Sequence, residues 1–195
     1  MKCATCKQEP RNRCDRDGYD CTNGKLDTAA YYHEDENKNP HRISGYLQKE
    51  YGNNLTRLEE IIQYCKQMNY KRVGLAFCVG LADESRIVSD IFSKEFEVMS
   101  VCCKLCGLDK KDFDVPKVKD GRFEAICNPV GQAEILNRSN VDINVLIGLC
   151  VGHDILFTKY AKAPCTVFAV KDKLLANNPL GVVYSGYWRK RYKVK

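Results

Sequence analysis

A layered α/β domain is expected from three features of the sequence. Short apolar runs recur between residues 72 and 170, stretches with helical spacing separate them, and turn residues mark the junctions. Strands alternating with helices imply a mostly parallel sheet covered by helices on both faces, a Rossmann-like three-layer arrangement. Residues 1–53 differ in texture. They are polar, turn-rich and weakly periodic, and they carry four cysteines. The expected division is a Cys-rich N-terminal knuckle over 1–53 and an α/β domain over 54–195.

The elements follow in order. Leu55, Leu58, Ile61, Ile62, Cys65 and Met68 recur at helical spacing, with Asn54 as a cap. Arg72–Cys78 reads as a buried strand. Val79-Gly80 turns the chain into a helix that runs to about Lys94, with Asp83 and Glu84 in its first turn. Phe96–Cys102 is the next strand, and residues 108–122 form a polar loop. Phe123–Cys127 reads as a short strand, stopped by Asn128-Pro129 and followed by a helix from Val130 to Arg138. Ile143–Cys150 is the clearest buried strand, followed by a helix from about His153 to Tyr160. Cys165–Val170 is another strand, and Gly181–Tyr184 is expected at a sheet edge. The runs Val73–Gly80 and Val145–Gly152 echo one another, each ending in Cys-Val-Gly.

Composition narrows the function. The chain has 195 residues and a net charge of +6. Five cations lie between Trp188 and Lys195, and without them the net charge falls to +1. The charge is an end effect that argues against nucleic acid as a partner. No apolar run is long enough for a membrane span. The first ten residues lack the apolar stretch of a signal peptide, so the expected compartment is cytoplasmic. Twelve cysteines are then thiols or thiolates rather than a disulfide framework.

Their spacing suggests metal. Cys3, Cys6, Cys14 and Cys21 form a Cys-x2-Cys-x7-Cys-x6-Cys pattern. Four thiolates suit tetrahedral zinc or an iron–sulfur cluster. A second set falls at predicted strand ends: Cys78, Cys102, Cys103 with Cys106 just beyond, Cys127 and Cys150. In a parallel sheet these ends share the edge where ligands bind. Helix N-termini there favour thiolate. The alternative is buried core cysteines, the reading preferred for Cys65 and Cys165. His153, Glu84 and Lys171 are the candidates for moving protons, and Asp172 for a polar role beside Lys171. No dinucleotide, Walker or serine-nucleophile motif is complete.

These residues resemble a family of uncharacterised metal-binding proteins of anaerobes, a domain of unknown function, DUF1847. The resemblance spans nearly the whole chain. It rests on Cys3-x2-Cys6, Cys78-Val79-Gly80 with Glu84, Cys103-Lys104, and Cys127-Asn128-Pro129-Val130-Gly131-Gln132-Ala133 with Asn137. It also rests on Gly148-Leu149-Cys150-Val151-Gly152-His153-Asp154, with Phe157, Lys171-Asp172 and Asn178-Pro179. The resemblance implies metal binding and prefers Cys103 over Cys102 and Cys106. That gives a second quartet of Cys78, Cys103, Cys127 and Cys150. The N-terminal spacing is also similar to that of the hybrid-cluster (prismane) proteins, whose catalytic domain has no counterpart here. This similarity implies an iron–sulfur cluster of the 4Fe-4S type, with zinc as the alternative. The expected role is redox, sensing or carrier, with an electron-transfer partner. A cluster-dependent enzyme and a zinc-stabilised binding scaffold stand as alternatives.

Overall fold

The computed structural model describes residues 2–194, so Lys195 of the basic tail lies outside the described residues. The chain divides into two compact units, Met1–Glu50 and Tyr51–Lys195.

The second unit is built on a four-stranded, wholly parallel sheet: β1 (Arg72–Phe77), β2 (Glu97–Cys102), β3 (Ile143–Ile147) and β4 (Cys165–Ala169). Their order is β2-β1-β3-β4. The chain leaves β1 towards one side and later returns to the other, so the sheet has a switch point between β1 and β3. The register pairs Phe77 with Cys102 on one side and with Ile147 on the other. The strands β2, β1 and β3 therefore end level with one another.

Period-two alternation divides the core. Val73 and Leu75 of β1 and Ile143, Val145 and Ile147 of β3 face Ile61, Cys65, Val88 and Phe92. Those partners come from α3 (Arg57–Gln67) and α4 (Ala82–Phe92). Ala76 and Leu146 face the other way, onto Ala133, Leu136 and Phe157 of α5 (Pro129–Arg138) and α6 (Val151–Tyr160). Cys65 is fully buried in the first core.

Local signals place the helix starts. Thr56, not Asn54, caps α3: Thr56 and Glu59 form a reciprocal capping box, with the Thr56 N–H donating to the Glu59 carboxylate at 2.8 Å. Asn128 caps α5 by accepting from the Gly131 N–H at 2.8 Å. Both Cys-Val-Gly sequences end a strand-to-helix turn. Cys78 caps a short 3-10 turn, Val79–Leu81, that leads into α4, and Cys150 stands at the N-cap position of α6 without a side-chain cap.

Three expected elements differ. Phe123–Cys127 is not a strand of the sheet. Its Ala125 forms an isolated antiparallel bridge with Asp109, because the neighbouring loop offers the Leu108 carbonyl and Lys110 N–H as partners. Gly181–Tyr184 is a short helix, α7, not an edge strand, and α8 (Gly186–Arg191) follows it. In the first unit, α1 (Arg13–Arg16) and the longer α2 (Asp35–Tyr51) occupy a stretch with little apolar periodicity. Only Ile43 and Leu47 of α2 are buried, one turn apart, and Pro40 lies within it. A stripe that narrow leaves almost no sequence signature.

The loop between β2 and α5 is tied by ion pairs. Lys110 meets Glu124 at 2.9 Å, and Lys117 meets Asp109 at 2.9 Å. Glu124 also accepts the N–H groups of Val118 and Lys119 at 2.9 and 2.8 Å. These N–H donors, Val118 first, and the Lys110 ammonium hold its carboxyl at about 2.

Two predictions follow from these contacts. The loop's hold on Glu124 is complete above the ordinary carboxylate range near 4.5 and is lost as the pH falls through about 2. Hydrogen exchange of the Val118 and Lys119 amides should accelerate, beyond the intrinsic rate, across that window. Glu124→Gln should remove the pH dependence. Gly148 has φ +63 and packs on Leu81, so an added Cβ is both strained and in collision. Gly148→Ala should lower stability by about 2–4 kcal/mol in urea denaturation.

Candidate functional site

The parallel sheet carries several cysteines to its carboxyl edge. Cys78 follows β1 and is buried, its N–H donating to the Ile147 carbonyl at 3.0 Å. Cys103 follows β2 and is 1% exposed, its N–H donating to the Phe77 carbonyl at 2.8 Å. Cys127 is half-buried before α5, and the next residue, Asn128, donates its N–H to the Cys103 carbonyl at 2.7 Å. Cys150 is half-buried three residues beyond β3, where its carbonyl accepts from the His153 and Asp154 N–H groups. Cys127 thus reaches the edge from an extended connection, not from a strand end.

The sulfurs are held by donors. The Val79 N–H donates to the Cys103 sulfur at 3.3 Å, and the Gly80 N–H to the Cys78 sulfur at 3.4 Å. Cys127 and Cys78 lie near enough to Cys103 for their charges to act on it. From the loop after β4, the Lys171 ammonium hydrogen-bonds the Cys78 sulfur. Three thiols from separate connections and one ammonium are therefore neighbours at this edge. Cys150 lies close enough for its charge to act on Lys171.

The electrostatics separate the thiols. Burial opposes ionisation of Cys78, but the Lys171 hydrogen bond and the Gly80 N–H outweigh it and hold the thiol below its ordinary range. Burial pushes Cys103 up to about 12, and the neighbouring Cys127 and Cys78 add to the rise. Burial opposes the charge on Lys171, yet the Cys78 contact and the fields of Cys78, Cys150 and Cys103 raise its pKa. The edge is built for an ammonium beside one thiolate.

His153 is half-buried in the first turn of α6. Burial, then the charges of Lys104 and Lys171, lower its pKa and favour the neutral imidazole. Glu84 is exposed on α4. Asp172 accepts the N–H groups of Leu174 and Leu175 at 3.1 and 3.0 Å and so fixes the turn that follows Lys171. Cys102 accepts the Lys104 N–H at 3.5 Å, and Cys106 is exposed with φ +67. Cys165 packs at the start of β4 in the second core.

Gln132 lies on α5, four residues after Asn128. It is fully buried, and its amide donates to the carbonyls of Val101 at 2.7 Å and Phe77 at 3.2 Å. One side chain therefore clamps the ends of β1 and β2 directly before Cys78 and Cys103. A polar residue on the inner face of α5, following Cys127-Asn128-Pro129, is its only sequence signal. Lys104 acts similarly, donating to the Ala125 carbonyl at 2.7 Å and anchoring the segment that leads to Cys127.

In the first unit, Cys3, Cys6 and Cys21 line one cavity of about 290 Å³. Cys14 is exposed on α1 and is not among its lining residues. Among the described residues, no three His, Cys, Asp or Glu side chains form a ready-made metal cage.

A family model for proteins of unknown function, DUF1847, matches residues 20–168. The chain belongs to that family. It is also 47% identical over 192 residues to the uncharacterized protein MJ0455 of Methanocaldococcus jannaschii, covering 98% of this chain and 97% of the relative. No solved structure matches it. Cys78, Cys103, Cys127, Cys150 and His153 lie inside the family match, whereas Cys3, Cys6 and Cys14 precede it. No helix among the described residues is long and apolar enough to cross a membrane.

Lys171→Met removes the ammonium that holds Cys78 low. In reduced, metal-free protein near neutral pH, Cys78 should then react more slowly with iodoacetamide, as followed by peptide mass spectrometry. Equal rates in the two proteins would show that the ammonium does not activate this sulfur.

Proposed function

We propose that the chain is a metal-binding protein that holds an iron–sulfur cluster of the 4Fe-4S class on Cys78, Cys103, Cys127 and Cys150, in a redox, sensing or carrier role. The observation that carries this reading is the meeting of thiols from separate connections at one sheet edge, beside a single ammonium. The donor chemistry fits. Thiolates are the ligands that iron–sulfur clusters and thiophilic ions require. Backbone N–H groups aimed at Cys78 and Cys103 stabilise negative charge on sulfur. When bound, such a cluster accepts and returns single electrons.

The residues divide the work. Cys78 supplies a sulfur that Lys171 and the Gly80 N–H hold below the ordinary thiol range. Lys171 balances its charge and competes with a metal for it. Loading therefore requires Lys171 to release that sulfur and the thiols to draw together, which couples metal uptake to a local rearrangement. Gln132 and Lys104 keep the strand ends and the Cys127 segment in place. Four thiolates would close the coordination, an arrangement suited to electron transfer with a protein partner. The neutral His153 supports a second reading, a cluster-dependent enzyme in which this imidazole accepts a proton at the sheet edge. Zinc in place of a cluster would make the same edge a stabilised binding scaffold.

Anaerobically purified protein should be brown and contain iron with acid-labile sulfide. Cys150→Ala should lower that content while the far-ultraviolet circular dichroism stays unchanged. Stoichiometric zinc without labile sulfide would overturn the iron–sulfur reading. Unchanged metal content in folded Cys150→Ala would remove Cys150 from the ligand set.

A further inference from the structure

The closing segment of the chain contributes nothing to the thiol-bearing edge, yet its composition is unlike the rest. Between Lys173 and Lys195 stand six cations, Lys173, Arg189, Lys190, Arg191, Lys193 and Lys195, with no aspartate or glutamate. Elsewhere in the chain Arg57, Lys66, Arg72, Lys110 and Lys117 each meet a carboxylate. Among the described residues, no carboxylate reaches Lys173, Arg189, Lys190, Arg191 or Lys193.

The same segment holds its apolar side chains out. Neither α7 nor α8 has a buried residue. Leu180, Val183, Tyr184, Tyr187, Tyr192 and Val194 are each more than half exposed. Single exposed apolar side chains need no explanation, but six between residues 180 and 194 do.

Cations and rings are ordered around α8. Gly186, Arg189, Lys190, Lys193 and Val194 line one cavity of about 340 Å³. These positions recur at helical spacing, so three cations share a face. Tyr187 and Trp188 pack edge to face, with ring centroids 5.3 Å apart, and the Arg191 guanidinium lies 5.0 Å from the centre of the Trp188 ring. An anionic membrane surface uses all three kinds of side chain. Lysine and arginine are drawn to its phosphates, tyrosine and tryptophan settle at headgroup level, and aliphatic side chains enter the hydrocarbon boundary. Single-stranded nucleic acid would use the cations and rings but leave Leu180, Val183 and Val194 without a role.

We propose that residues 173–194 form a docking surface for an anionic lipid membrane, with Arg189, Lys190, Arg191 and Lys193 against headgroup phosphates and Tyr184, Tyr187 and Trp188 at the interface. The segment lies on the bilayer and does not cross it: α8 has six residues. Attraction between its cations and the lipid phosphates brings the surface down, so salt reverses the contact. Burial of the rings and aliphatic side chains then holds it. The surface shares no residue with the proposed cluster site, and either reading can fail without the other.

Trp188 is the chain's single tryptophan and reports the contact directly. Full-length protein is mixed with sedimentable vesicles of phosphatidylcholine alone, or of phosphatidylcholine and phosphatidylglycerol in equal parts. With the anionic vesicles the protein should sediment and the Trp188 emission should shift to the blue. With the neutral vesicles neither should occur, and salt at about 1 M should release the protein. The triple variant Arg189→Gln, Lys190→Gln and Lys193→Gln should bind about a hundredfold more weakly, about fivefold for each cation removed. Tyr184→Ser with Tyr187→Ser should weaken binding while keeping the preference for anionic lipid. These side chains are exposed, so the far-ultraviolet circular dichroism of both variants should match that of the parent protein. Equal sedimentation with both kinds of vesicle, sedimentation with neither, or unchanged binding of the triple variant would overturn the proposal. Quenching of Trp188 by oligouridylate without vesicle binding would also overturn it and assign the surface to nucleic acid.

Discussion

The thiol-bearing edge depends on one constraint, the parallel alignment of β1 with both neighbours. Because β1 is bonded to β2 and β3 in the same direction, the connections after all three leave from one edge. Right-handed crossovers then return each connection across a face of the sheet. Close packing maintains this alignment. Val73, Leu75 and Ala76 of β1 are fully buried, and Gly74 leaves the space that Leu136 and Asn144 occupy. The cost is polar. The buried Oδ1 of Asn144 and Oε1 of Gln132 have no hydrogen-bond partner among the described residues, although each amide nitrogen donates to a backbone carbonyl. The amide of Gln132 joins the β1 and β2 ends through the carbonyls of Phe77 and Val101.

The same edge brings opposed electrostatic demands together. Burial disfavours a charged thiol, whereas N–H donors and an ammonium favour it. At Cys78 the donors prevail, and at Cys103 burial prevails, although the two residues follow adjacent strands in register. The difference lies in Lys171, which reaches Cys78 from the loop after β4. A lysine more than ninety residues away in sequence therefore determines which of two neighbouring sulfurs is acidic. The N-terminal segment has no hydrophobic core, and its cysteines are exposed or half-buried. Its thiols are arranged by short turns and backbone donors, not by strands.

Much of the α/β unit was legible because burial has a period. The strands expected over 72–78, 96–102, 143–150 and 165–170 form over 72–77, 97–102, 143–147 and 165–169, and the intervening amphipathic stretches are helices. Legibility failed where burial is sparse or where a local motif outranks composition. The helix Asp35–Tyr51 buries only two side chains, so its apolar signal is faint. Phe123–Cys127 has strand-forming residues, but Glu124 is committed to Lys110 and to the backbone of residues 118 and 119, which holds the segment against its own loop. Gly181–Tyr184 has β-branched residues, yet its backbone closes local turns in place of pairing with a sheet edge. Thr56 displaced Asn54 as the cap because Glu59 stands three residues after it.

The sequence by itself determined the layers, the parallel direction of the strands and the positions of cysteines beside their ends. Periodicity and turn chemistry are local, and local information suffices for these. Only the tertiary structure decided that Lys171 meets Cys78, that Gln132 clamps two strand ends, that Glu84 stays exposed, and that Cys14 lies apart from the cavity lined by Cys3, Cys6 and Cys21. Those outcomes depend on contacts between distant segments and on burial, which a linear pattern of residues does not contain.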